Sequence, residues 1–199
     1  MDGFKKLSYE ELMEVCKKRK DDYEYIPFKQ LFDLKQGDFN YNELTVNSNS
    51  DIRLITYNNK NDIKINSDSY NIDALYISNI LLGHNKIIAY SEGKSIHSRN
   101  SCHIKPKGNF EKVINMRFIF HYLDFHQEFI INTYYTTGNV VKSLNKTKIG
   151  DMIIVLPPLQ KQIEIIEYLD KIQEDFNRKV NETTKEHLEH KSLFISANV

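Results

Sequence analysis

Seven histidines and two cysteines are the residues best able to do chemistry in this chain of 199 residues, and their spacing argues against a metal. His97 stands near Cys102 and His103, His121 near His126, and His187 near His190. None of these groupings has the ligand spacing and supporting donors of a zinc site. Cys16 and Cys102 lie far apart with no paired spacing, which fits a reducing compartment better than a disulfide scaffold. Leu156-Pro157-Pro158-Leu159 invites comparison with the Asp/Asn-Pro-Pro-Tyr/Phe motif that holds a target amine for methylation, but its polar first residue and aromatic last residue are missing. No glycine-rich cofactor loop follows a strand, and no carboxylate cluster with a following lysine marks a nuclease. Catalysis by this chain alone is not expected, and neither metal nor cofactor is implied.

Binding is the better expectation. Lys+Arg and Asp+Glu both number 27, so any nucleic-acid surface must come from uneven placement of charge. Between His84 and Phe118 stand Lys86, Lys94, Arg99, Lys105, Lys107, Lys112 and Arg117 against only Glu92 and Glu111. A second basic piece, Lys142, Lys146 and Lys148, follows the turn Thr136-Thr137-Gly138-Asn139 and meets no acid before Asp151. Lysines so placed can bind phosphates, while neighbouring Arg, Asn, Ser and His can reach base edges. The expected DNA contacts are Lys86, Lys94, His97, Arg99, Asn100, Asn139, Lys142 and Lys146, with SEGKSIHSRNS (91–101) as the base-reading loop. The plainer reading is that such lysines solvate loops and balance acidic helices at either end.

Several elements must position these residues. Ser8 with Glu11 forms a capping box ahead of Leu12 and Val15, predicting a helix over 8–20. YIPFKQLFDL (25–34) reads as a strand or tight helical turn leading to Gly37, and IRLITY and IKI as short strands joined by hairpins. ALYISNILL and KIIAYSEG read as paired strands about the turn Gly83-His84-Asn85, and 111–132 as one helix closed near Phe125 to Gln127. Pro158 suits a first helical position, after which Ile165, Leu169, Ile172, Phe176 and Val180 keep the four-three spacing of a coiled-coil seam. The stripe fades at Thr183, His187 and His190. The fold class expected is α+β: a domain of small strands and short helices at 25–157, preceded by a helical extension (1–24) and followed by a long coiled-coil-type helix (158–191) and a tail (192–199). Folding back of 159–180 onto its own domain is the alternative to an outside partner. The start, MDGFKKLSYEELMEV, lacks the apolar stretch of a signal peptide, and runs such as MIIVL are too short to span a bilayer, so a cytoplasmic protein with no membrane partner is expected.

The run GNVVKSLNKTKIGDMIIVLPPLQKQIEIIEYL (138–169) resembles the end of a target-recognition domain and the start of the conserved helix in specificity subunits of type I restriction-modification systems. The matching positions are Gly138 and Leu144 in the turn before the last strand, then Leu156, Pro157, Pro158, Leu159, Gln162, Ile165 and Leu169, and YIPFKQLFDLKQG resembles the family's opening strand and glycine. Val155 departs from it, since a further proline is frequent there. Members commonly carry two recognition domains and two helices, whereas this chain has one of each. The resemblance implies a non-catalytic subunit whose recognition domain reads one half of a split site in double-stranded DNA. Antiparallel helices, from a homodimer or a second specificity subunit, would set the spacing between halves. Methyltransferase and restriction (motor-nuclease) subunits would supply the chemistry. A different class of function is a coiled-coil interaction protein, or an orphan specificity-subunit paralogue acting as a non-catalytic partner or antagonist.

Overall fold

The computed structural model describes residues 23–40, 45–55, 63–65, 67–81, 86–136 and 141–197, with backbone alone for Asn109 and 183–197. The expected helix over 8–20, the turn 83–85, the family position Gly138 and the expected DNA contact Asn139 lie outside the described residues.

Three small sheets and a helical layer make an α+β domain. Strand β1 (Glu24–Pro27) runs straight into a single helical turn, α1 (Phe28–Leu31), and on into β2 (Phe32–Gln36), so both readings of YIPFKQLFDL hold in succession. The main sheet has the order β2-β7-β4-β6-β3, where β3 is Arg53–Leu54, β4 Asn71–Ser78, β6 Ile88–Ile96 and β7 Ser101–Pro106. Only β3 with β6 is parallel. The expected pairing of ALYIS with KIIAYSEG is the β4–β6 ladder. Among the described residues of IRLITY, Arg53 and Leu54 join the ladder, and an isolated bridge runs from Arg53 to Lys64. Asp73 and Gly93, both at positive φ, form a bulge in the β4–β6 pair, where the Gly93 N–H donates to Asp73 Oδ1 at 2.7 Å. A bulge of this kind adds twist. The isolated parallel bridge Phe39↔Ser98 then ties the exit of β2 to the exit of β6, so the sheet curls back on itself.

Alternation along β4 sorts its side chains. Leu75 and Ile77 face the main core with Ile104, Phe118, Ile119 and Leu123, whereas Ala74 and Tyr76 face the other side. A 3-10 turn (Gly108–Lys112) precedes α2 (Met116–Phe125) and α3 (Gln127–Tyr134), which break at His126. The single helix expected from 111 therefore starts later. Asn115 accounts for that: its Oδ1 accepts from the N–H groups of Arg117 (3.0 Å) and Phe118 (3.2 Å), capping α2, while Val113 stays exposed outside it. A small sheet of order β5-β9-β8 (Ile80–Leu81, Lys142–Leu144, Tyr135–Thr136) follows, then a helical turn α4 (Lys146–Ile149) capped by Asn145. Strand β10 (Ile153–Leu156) pairs antiparallel with β1, Glu24 opposite Leu156.

The last element, α5, spans Leu159–Ala197, beyond the stop expected at 191. Pro158 precedes it: its carbonyl accepts from the N–H groups of Lys161 (2.8 Å) and Gln162 (3.1 Å), making it the cap instead of the first helical residue. Pro157 is buried. Ile165 and Leu169, expected on an outward seam, pack against the domain core, and Ile166 is 5 % exposed within it. Ile172, Phe176 and Val180 are exposed. The stripe thus divides between folding back and facing out.

Candidate nucleic-acid interface

Strand β4 ends at Ser78, and around that end the fold collects most of the expected contact residues. The Ser78 N–H donates to Ile87 O (2.8 Å), which places Lys86 beside it at the start of β6. Ser101 opens β7 opposite Ser78, so Arg99 and Asn100 stand at the same end. Leu144 N–H donates to Asn79 O (2.8 Å), which brings in Lys142 two residues earlier on β9 and Lys146 two residues later on α4. Two segments forty residues apart in sequence therefore become one polar, basic edge. Arg99, Lys142 and Lys146 form no ion pair with an acid among the described residues.

The segment expected as a flexible base-reading loop has a different structure. Residues 91–96 are strand, and only 97–100 connect β6 to β7. Both strands run antiparallel to β4, β6 ending beside its first residue and β7 beginning beside its last. The connection must travel along β4, and it does so in four residues where parallel strands ordinarily need a dozen or more. It lies against the face that carries Tyr76, whose ring centroid is 4.8 Å from that of His97 and 5.5 Å from that of His103. Gly37 makes the close passage possible, since a Cβ there would stand 2.3 Å from His97 O and 2.4 Å from Ser98 O, far inside contact distance.

His97 is buried, with Nε2 3.1 Å from Lys35 O, and burial lowers its pKa. His103 is pushed further down, to about 4, by burial and by the charges of His97, Lys105 and Lys35. Both are neutral packing groups at neutral pH. Lys94 lies at the far end of β6, where its Nζ is 2.9 Å from Asp51 and 4.8 Å from the centre of the Tyr70 ring. That pairing raises the lysine pKa and lowers that of Asp51. Of the eight expected contacts, Lys86, Arg99, Asn100, Lys142 and Lys146 come together, Lys94 and His97 serve other partners, and Asn139 is outside the described residues.

Two residues that sequence did not single out hold this edge: Gln36, last in β2, and Asn79, just after β4. Each stands at the end of a strand and reads as ordinary turn or surface polarity, so no sequence signal marks them. The Arg99 carbonyl accepts from Gln36 Nε2 and Asn79 Nδ2, both at 2.9 Å. Asn79 also donates from its N–H to Asn100 O (2.7 Å) and accepts at Oδ1 from the Cys102 thiol (3.0 Å). Burial pushes the pKa of that thiol up, so Cys102 acts here as a neutral donor.

The other functional element is the junction of α5 with the domain. Gln162 is fully buried; its Oε1 accepts from Asn115 N–H (2.8 Å), and its Nε2 donates to Val113 O (2.9 Å) and Pro157 O (2.8 Å). The glutamine of the motif is thus a bracket between the start of α2 and the exit of β10. Arg117 adds a two-pronged pair to Asp170, at 3.0 and 2.6 Å, which raises the arginine's pKa.

Residues 7–190 match the family model described as type I restriction modification DNA specificity domain. Among solved structures, the chain is similar to the S subunit of a type I restriction-modification system from M. genitalium (TM-score 0.59, 14 % identity), over 78 % of this chain and 40 % of that one. It is also similar to the HsdS subunit from Thermoanaerobacter tengcongensis (TM-score 0.55, 14 % identity), over 79 % of this chain and 39 % of that one. At that identity the likeness is one of fold. The chain spans about two fifths of the length of these relatives. No curated protein matches.

Proposed function

The chain belongs to the family of type I restriction modification DNA specificity domains, and from that premise we propose that it is a non-catalytic module reading one half of a bipartite duplex target. The observation that carries this reading is the basic edge at the end of β4, where Arg99, Lys142 and Lys146 stand without acidic partners among the described residues. Lys86, Lys142 and Lys146 contact phosphates; Arg99 and Asn100, at the tip of the connection, reach base edges. The exposed part of α5, with Ile172, Phe176 and Val180, pairs with a second copy or with another specificity subunit, and the pair docks methyltransferase and restriction subunits. Such work belongs in the cytoplasm, with the DNA.

Selection of bound sequences from a random duplex pool at low salt, for the chain alone and with a candidate methyltransferase subunit, tests this. An enriched half-site, with binding that weakens as salt rises, is expected. No enriched motif in either arm would overturn the reading.

A further inference from the structure

Gln36 is an exposed residue at the end of an edge strand, yet its amide joins the two segments of the basic edge. Nε2 donates to the Arg99 carbonyl at 2.9 Å, and Oε1 accepts from Lys146 Nζ at 2.9 Å. Lys146 is therefore oriented by a neutral group, which leaves its charge intact for a phosphate. The Arg99 carbonyl has its second partner in Asn79, so both of its lone pairs are filled and the backbone that carries the arginine is fixed on two sides. On the arginine side chain, Nε donates to Asp38 O (3.0 Å), and the terminal guanidinium nitrogens have no bond among the described residues.

We propose that Gln36 is a positioning residue for DNA recognition, fixing the separation between the Arg99 guanidinium and the Lys146 ammonium so that a base contact and a phosphate contact are made in one register. This rests on the DNA-reading function proposed above. The inference concerns how that surface discriminates: a bidentate base contact loses its selectivity when its backbone can shift, even though every charge is still present.

The test uses the full chain and the half-site enriched by the pool selection, with Gln36→Ala, Gln36→Glu, Arg99→Ala and the double variant Gln36→Ala/Arg99→Ala. Gln36→Ala should reduce the preference for the selected half-site over a mismatched one by about tenfold, at the same base position that Arg99→Ala relaxes. The double variant should lose no more preference than Arg99→Ala alone, because Gln36 acts through Arg99. Gln36→Glu keeps an acceptor for Lys146 but pairs its charge, so the slope of binding against salt should fall by about one phosphate contact. Wild-type preference and slope in both single Gln36 variants would overturn the inference while leaving the DNA-reading function standing. Losses that add in the double variant would also overturn it, by showing that Gln36 acts independently of Arg99. A wild-type chain that selects nothing would sink both.

Discussion

Between Leu159 and Asp170 the long helix is part of the globular body, whereas from Ile172 to Val180 the same apolar stripe stands in solvent. Ile166 is 5 % exposed and Phe176 60 %. Hydrophobic period cannot separate these halves, because both place apolar residues at helical spacing. Polar detail separates them. The first half brings Gln162 to where the N–H of Asn115 and the carbonyls of Val113 and Pro157 need partners. The second half has exposed Gln173, Glu174, Asn177 and Lys179 around its apolar residues. A stripe shows that a face will be covered; a buried glutamine with three bonds shows which part is covered by the chain itself.

The contrast breaks most sharply at Gln162. Replacement by Leu would leave a backbone donor and two carbonyls without their partner, at about 1–3 kcal/mol for each one left buried and unsatisfied, so a loss of roughly 3 kcal/mol or more is expected in urea unfolding. A loss below about 1 kcal/mol would erase the distinction between the halves. Next in size, Ile166→Ala should cost about 2–4 kcal/mol through the cavity it opens, while Phe176→Ala should stay within about 0.5 kcal/mol in dilute, monomeric samples. The paired change Ile172→Glu/Phe176→Glu should abolish self-association, read by sedimentation at tens of micromolar, and leave the unfolding midpoint of dilute protein in place. A monomeric wild type under the same conditions would argue against the homodimer. Leu169 is unsuitable for this test, because it packs on the body and its change to Glu would disturb that packing as well as the seam.

The smallest expected effect acts away from the helix. His103 has a folded-state pKa of about 4, below the ordinary histidine value of about 6.5. The unfolded chain takes up the proton first as pH falls, so the contribution of neutral His103 is complete above pH 6.5 or so and is lost on going down towards 4. His103→Gln should flatten that decline in unfolding measurements, and to the same degree in the wild type and in the Ile172→Glu/Phe176→Glu variant. A larger change in one background would mean that the histidine is coupled to the helix.

Local signals in the sequence were enough for the paired strands β4 and β6, the close of α2 at Phe125, and the start of α5 after two prolines. Each rests on contacts between near neighbours or on backbone chemistry specific to Pro and Asn. Non-local geometry was not legible. The crossing of 97–100 over β4 depends on a curled sheet, so a segment rich in small polar residues looked like a loop when it is mostly strand. The same holds for the edge itself: basic residues could be counted, but their convergence at Asn79 depends on Leu144 bonding to it, and Lys94 falls outside the group because its place on β6 is beside the start of β4, where Asp51 pairs with it. Gln36 and Asn79 were missed because an amide announces neither its partners nor its burial.

The pairing of β1 with β10 has a consequence for how such a module can be exchanged. Glu24 lies opposite Leu156, so the chain comes into the domain and leaves it at one narrow neck. A domain whose ends meet can be replaced as a cassette without altering what flanks it. Here the replacement would need to match the helix at the neck, where Ile165, Ile166 and Leu169 pack on the core, and where Val113, Asn115 and Arg117 meet Gln162 and Asp170. The basic edge at the end of β4 and the strands behind it would be free to diversify while the helix stayed the same.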